Sequence, residues 1–360
     1  MENDVNVHKL NYVSVVKGLA IFLMLWGHCI QYCSNNRFNV FDDLMFKIIY
    51  SFHMPLFMLI SGFLMYYSSQ KRGTRELIIH RTNRLLYPII TCTFLNFFLT
   101  TGVKNLFHNP SLNVLLSGAW LKDFSPFWFL WGTLVASFVS IISFKNNRCV
   151  AVKVLLVLLG FIFAAIMPCA TTNIYMLPYF LCGYIFNAFM NKYEQVYRFI
   201  VKCRWIAIVA FPILLSFYSR DHFIYTTGIF ASDIPLLKCV YIDLFRWLIG
   251  FVGSIAVLTI VYELIRHIGQ RTIANRFLSI FEELGDNSLE YYCISVVILS
   301  GYLRPIFSAF TSKLGIDSVP DYKVVYWFVV TPLVSVLYCV LIHLIVKILK
   351  RIKLHKYIFG

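Results

Sequence analysis

The sequence predicts an all-α membrane protein, a polytopic bundle of about ten transmembrane helices with both termini in the cytoplasm. Three observations carry that expectation. Hydrophobic residues make up 59% of the 360 and charged residues only 14%, with a mean hydropathy of +0.72. Soluble domains carry about a quarter charged residues. The apolar residues gather in runs of roughly 17–25, the length that crosses a bilayer core. Between these runs Lys and Arg alternate in abundance, 21 on the side holding the N-terminus against 10 on the other, with Lys17 left inside a run. That bias is the positive-inside pattern. The net charge of +15 is spread in short clusters between apolar runs, so nucleic acid is excluded as its partner.

The expected spans are 12–33, 46–67, 84–100, 125–144, 150–168, 174–190, 204–218, 241–265, 289–310 and 324–349. The longest connection, 101–124, is too short for a soluble domain, so residues 1–360 read as one integral-membrane domain. Any chemistry must then occur inside the bundle or at its edges. The N-terminus lacks a basic region and a small-residue cleavage site, which makes 12–33 a retained span. The ten cysteines are scattered, mostly within apolar runs, and read as small membrane hydrophobes. No internal repeat is visible, which counts against an inverted-repeat transporter.

The first span carries the main functional signal. Lys17 and His28 are eleven positions apart, about three helical turns, so they share a face about 16 Å apart along the axis. Ionisable residues in a span are costly and mark function by default. The competing readings are a snorkelling Lys17 and a structurally hydrogen-bonded His28. Gly18 and Gly27 beside them allow close approach of a neighbouring helix or ligand. The second span holds Phe52-His53-Met54-Pro55-Leu56-Phe57 and Ser61-Gly62-Phe63. It places His53 at a depth similar to His28, next to a proline that removes a backbone donor. Two histidines at one level suggest an acid/base centre, or a base and its orienting partner. A kinked helix with a structurally bonded His53 is the alternative. No metal site is expected, since no third ligand stands at a sensible spacing.

A basic cytoplasmic stretch follows, Lys71-Arg72-Gly73-Thr74-Arg75, and then Arg81-Thr82-Asn83-Arg84-Leu85-Leu86-Tyr87-Pro88. Residues three apart share a helix face, so Arg81 and Arg84 are placed to grip one polyphosphate. Positive-inside anchoring explains Lys71 to Arg75 equally well.

Taken together, these segments resemble the acyltransferase-3 family of integral-membrane acyltransferases. Lys17 and His28 match its basic residue and first-helix His, separated by ten positions. Phe52 to Gly62 matches its second-helix motif, and Arg81 to Pro88 its third-helix entry. Weaker echoes occur at Pro126 to Leu130, Leu177 to Tyr184 and Leu284 to Tyr292. The chain departs from the family twice. Its first-helix cation is Lys17, which cannot make a bidentate fork, where the family often has Arg, and Ser295 stands where a His often follows the tyrosines.

The resemblance implies acyl-CoA, most simply acetyl-CoA, as donor. It implies a hydroxyl of a polysaccharide or lipid-linked glycan as acceptor, and a bacterial plasma-membrane location. On that reading Lys17, Arg81 and Arg84 hold the CoA phosphates at the cytoplasmic mouth, and the pantetheine arm runs along the first helix. His28 acts as general base or takes the acyl group itself, and His53 orients His28 or shuttles its proton. The outer segments with Lys104, His108 and Trp120, and with Tyr218, Arg220, His222, Phe223 and Tyr225, read as sugar-stacking surfaces or interfacial belt. Arg246 and Glu290 near span ends read equally as an ion pair, ligand contacts or anchors of the bundle, and none of these is assigned. A secondary transporter or flippase, and a non-catalytic scaffold, are the competing functional classes.

Overall fold

In hydrocarbon every backbone N–H and C=O must find a partner within its own segment, and helices meet that demand. The computed structural model describes residues 2–33, 39–99, 124–146, 148–190, 192–229, 231–268, 272–298, 307, 313 and 322–359. Among these residues there are helices and connecting turns but no strand. The protein is an all-α membrane protein, and five of its helical segments are long and apolar enough to cross a bilayer: Tyr12–Cys33, Leu44–Lys71, Phe124–Phe144, Leu236–His267 and Tyr326–Arg351.

The helices run in order as α1 (Glu2–Cys33), α2 (Leu44–Lys71), α3 (Thr74–Phe97), α4 (Trp128–Phe144), α5 (Val150–Ile166), α6 (Ala170–Met190) and α7 (Glu194–Ser216). After them come α8 (Leu236–Ile268), α9 (Thr272–Asp286), α10 (Ser288–Ile298), α11 (Thr331–Arg351) and the short α12 (His355–Phe359). Each expected span is helical over most of its described residues. The 289–310 span is described as continuous helix only to Ile298. A π-helical turn, Tyr326–Val330, leads into α11.

α2 is the hub, buried along most of its length and packed against α1, α6 and α8. Asp43 caps it by accepting the Phe46 N–H at 2.8 Å, which removes one of the unpaired donors at a helix start. At its other end Lys145 donates to the carbonyls of Ser69 and Arg72, placing a cation on the negative pole of the helix. Two glycine pairs bring helices into backbone contact. A Cβ on Gly62 would collide with the Phe180 carbonyl, and one on Gly183 with the Leu59 carbonyl, so α2 and α6 touch main chain to main chain. Gly18 and Gly285 do the same for α1 and α9 through the carbonyls of Phe281 and Ser14.

Helix α9 sits in a stretch that reads from sequence only as a connection between spans. It is amphipathic, with Leu284 and Gly285 buried and Glu283 and Asp286 exposed. Its packing is along α1 beside Lys17.

Candidate active site

Helix α1 is continuous through both of its ionisable positions, so the helical rise keeps Lys17 and His28 about 16 Å apart. Lys17 is half-buried. Its charged neighbours are Arg84 from α3, Asp286 at the end of α9 and Glu290 on α10. These carboxylates are themselves held. Asp286 accepts the Ser14 hydroxyl at 2.6 Å, and Glu290 pairs with His355 Nε2 at 2.8 Å. Asn287 between them accepts the Lys350 ammonium. The sequence motif Leu284 to Tyr292 thus spans the junction of α9 and α10 beside Lys17.

Arg81 is half-buried and donates to Ser68 Oγ at 3.3 Å, while Arg84 is exposed. The Arg81 Nε is buried with no partner among the described residues. Burial first, then the positive charges of Arg84 and Arg72, lower the Arg81 pKa to about 10. It stays protonated at neutral pH, in a patch with more positive than negative charge, which suits an anion.

At the other end of α1, Tyr50 stands between the two histidines. Its hydroxyl lies 3.3 Å from His28 Nδ1 and 3.2 Å from Gln31 Oε1. Its ring meets the His53 ring edge-on at 4.9 Å. His53 is buried, and its Nδ1 is 2.7 Å from the Ile49 carbonyl. A carbonyl only accepts, so His53 Nδ1 carries the proton and Nε2 the lone pair. The structure therefore brings His28 and His53 into one aromatic cluster. Neither Tyr50 nor Gln31 stood out in the sequence, because a tyrosine in an apolar run carries no signal of its own.

Beside this cluster is a cavity of about 20 Å³, lined among others by His53, Pro55, Trp128, Tyr175, His222 and Tyr225. That is room for about one water-sized group. Pro55, with no N–H to give the preceding turn, forms part of the wall. Trp128 comes from the Pro126 to Leu130 motif, which Tyr292 holds in place by donating to the Pro126 carbonyl at 3.0 Å. Tyr175 comes from α6, whose Tyr179 donates to the Arg246 carbonyl at 3.1 Å.

The roof of the cavity is the turn after α7, residues 218–229. Arg246 holds it. This fully buried guanidinium donates to the carbonyls of His222 (2.9 Å), Asp221 (3.0 Å) and Thr227 (2.6 Å), and pairs with Asp243 at 2.7 Å. Arg246 is therefore the clamp of this turn, a role its position near a span end did not reveal. Tyr218, His222 and Tyr225 on that turn line the cavity. Lys104, His108 and Trp120 lie outside the described residues. Among the described residues no three His, Cys, Asp or Glu side chains gather as a metal site would require.

Comparison with known proteins gives the family. Nodulation protein NolL of Sinorhizobium fredii (strain NBRC 101917 / NGR234) is 27% identical over 298 residues, covering 78% of this chain and 75% of that protein. Nodulation protein NolL of Mesorhizobium japonicum (strain LMG 29417 / CECT 9101 / MAFF 303099) is 25% identical over 289 residues, covering 77% and 73%. No solved structure matches. The family described as "Acyltransferase domain" matches residues 10–349, so the chain belongs to the acyltransferase-3 family of membrane acyltransferases.

Proposed function

We propose that this protein moves an acyl group, most simply acetyl, from cytoplasmic acyl-CoA to a hydroxyl of an envelope glycan at the plasma membrane. In this reading residues 1–360 act as one domain of about ten spans with both termini in the cytoplasm. The observation that carries it is α1 itself, with a cationic cluster at one end and the histidine–tyrosine cluster at the other. Arg81, Arg84 and Lys17 hold the CoA phosphates. The pantetheine arm, on the order of 16 Å long like the rise between Lys17 and His28, delivers the thioester to His28.

Transfer then has two equivalent routes. In one, His28 takes the proton of the acceptor hydroxyl as its oxygen bonds to the acyl carbon, and the C–S bond breaks. The proton ends on the CoA thiolate. In the other, His28 is acylated first, with loss of the thiol, and the hydroxyl then displaces the imidazole. Tyr50 positions His28 through the Nδ1 contact, and His53 carries protons to and from the pair. The 20 Å³ cavity admits a carbonyl oxygen or a hydroxyl but no sugar ring, which favours a short acyl group. It leaves the sugar to pack outside, against aromatics such as Trp128 and Tyr225.

The test uses membranes holding the protein, radiolabelled acetyl-CoA and extracted surface polysaccharide. Wild type transfers label. His28→Ala does not, and Arg81→Ala/Arg84→Ala raises the KM for acetyl-CoA. Full transfer by His28→Ala refutes the assignment of the base. Movement of unmodified glycan across the membrane without label transfer identifies a flippase instead.

A further inference from the structure

His222 plays no part in the mechanism above, yet nearly everything about its position is specified. It lies in the turn Arg220–His222 between α7 and α8 and is only 7% exposed. Its ring stacks on Tyr218 at 5.6 Å and lies against Phe245 at 4.5 Å. Its carbonyl accepts from Arg246. Its Nδ1 is 2.9 Å from the Ser219 backbone N–H and 2.9 Å from the Ser219 hydroxyl.

The Ser219 amide decides the tautomer. A backbone N–H can only donate, so Nδ1 holds the lone pair and the neutral ring carries its proton on Nε2. Burial, followed by the Arg246 charge, lowers the His222 pKa, against smaller opposing effects of Asp221 and the Ser219 bond. The ring is therefore neutral at pH 7. That leaves a buried Nε2–H with no hydrogen-bond partner among the described residues. An unsatisfied buried donor costs about 1–3 kcal/mol and calls for a partner.

The cavity supplies the place for one. His222 and His53 both line it, and the two rings are in opposite tautomers. His53 offers a lone pair at Nε2, and His222 offers a proton at Nε2. A cavity with room for one oxygen-sized group, walled by one histidine able to donate and one able to accept, has the groups that an acyl-transfer centre needs. We propose that His222 is a catalytic residue whose Nε2–H binds the carbonyl oxygen of the transferring acyl group and stabilises the negative charge that develops there. The inference rests on the acyltransferase reading. As the acceptor oxygen bonds to the acyl carbon and its proton passes to the base, the carbonyl π electrons move onto that oxygen, which takes the His222 hydrogen bond. Collapse restores the C=O bond and expels the leaving group, thiolate or imidazole, which takes the proton back.

Two substitutions separate the donor from the scaffold. His222→Asn puts an amide oxygen where Nδ1 stood, keeps the Ser219 bond and removes the distal donor. His222→Gln places an amide N–H near the Nε2 position. The measurement is transfer from radiolabelled acetyl-CoA to extracted surface polysaccharide by the full-length protein in membranes, at matched amounts of folded protein. We expect His222→Asn to lower kcat by about 10²–10³-fold, the usual effect of losing one oxyanion donor, with the KM for acetyl-CoA within about two-fold, as lost transition-state binding requires. His222→Gln should recover at least about ten-fold of that loss. Equal losses in the two variants, the reverse order, or wild-type kcat in His222→Asn overturn the proposal and leave His222 as scaffold of the turn. Wild-type protein that transfers nothing overturns the acyltransferase reading itself, and this proposal with it, before any variant is compared.

Discussion

Gly27→Ala tests whether Tyr50 sets the geometry of His28. A Cβ added to Gly27 would lie 2.6 Å from Tyr50 Cε2 and 3.3 Å from Ile49 Cγ2. Carbon atoms rest at about 3.5–4.0 Å, so the Tyr50 ring must move by about 1 Å. Its room to move is limited, since it is stacked on Phe46 at 3.9 Å and edge-on to His53. The contact between Tyr50 hydroxyl and His28 Nδ1 is already 3.3 Å, and a shift of this size breaks it. Overpacking of this kind costs about 1–3 kcal/mol of stability. Displacing a catalytic group by about 1 Å costs on the order of 10²-fold in rate. The assay pairs thermal unfolding in detergent with acetyl transfer in membranes, using Tyr50→Phe as comparator. That variant loses the hydroxyl without the crowding, so it should lower transfer with a smaller change in unfolding temperature. A Gly27→Ala protein with wild-type transfer and wild-type unfolding refutes the role given to Tyr50.

Arg246→Ala should destabilise the protein by about 3–5 kcal/mol, because it breaks the buried ion pair with Asp243. Thermal unfolding reads this directly, and a loss under about 1 kcal/mol contradicts the clamp. Lys17→Arg should retain transfer with a modest change in KM for acetyl-CoA, whereas Lys17→Glu should raise that KM at least about ten-fold, the weight of a like charge beside a phosphate. A KM unaffected by Lys17→Glu removes Lys17 from the donor site. Gly183→Ala must separate α6 from α2, since its Cβ meets the Leu59 carbonyl. Its expected cost is about 1–3 kcal/mol, measured as a lowered unfolding temperature, and an unchanged temperature contradicts the close packing. For His222 the folded-state pKa lies below the ordinary 6.5, so the unfolded chain binds the proton more readily. Stability from this residue is intact above that value and falls as pH drops from about 6.5 toward the folded pKa. Wild type should lose unfolding temperature between pH 7 and pH 5 more steeply than His222→Gln. Parallel slopes argue against a neutral buried His222.

Much of the bundle was legible because helix formation is local. Apolar runs of span length marked α1, α2, α8 and α11 in advance. The placement of Lys17 and His28 on one face needed only the helical repeat and an unbroken α1. Helix α9 was missed for the same reason. It carries too many charges for a span, and its apolar stripe acquires meaning only against α1. The glycines were visible as residues that allow close approach, but their partners were not. Gly18 meets Gly285 across 267 positions of sequence and Gly62 meets Gly183 across 121, and no periodicity links such positions. The site divides along the same line. His28, His53, Lys17, Arg81 and Arg84 drew attention as charged or titratable residues in or beside apolar runs. Tyr50 and Gln31 did not, Arg246 was noticed without a role, and His222 was noticed only within a segment read as a sugar-stacking surface or interfacial belt.

By itself the sequence determined the membrane class, the helices and the spacing of ionisable groups along α1, all properties of a single segment and its i→i−4 hydrogen bonds. Only the tertiary structure decided that Tyr50 stands between His28 and His53, that Arg246 ties the 218–229 turn over the cavity, and that His222, with its unpaired buried Nε2, lines the same cavity as His53. Those relations depend on which helix faces pack together, and that choice is made by backbone contact at glycines and by buried hydrogen bonds between distant segments.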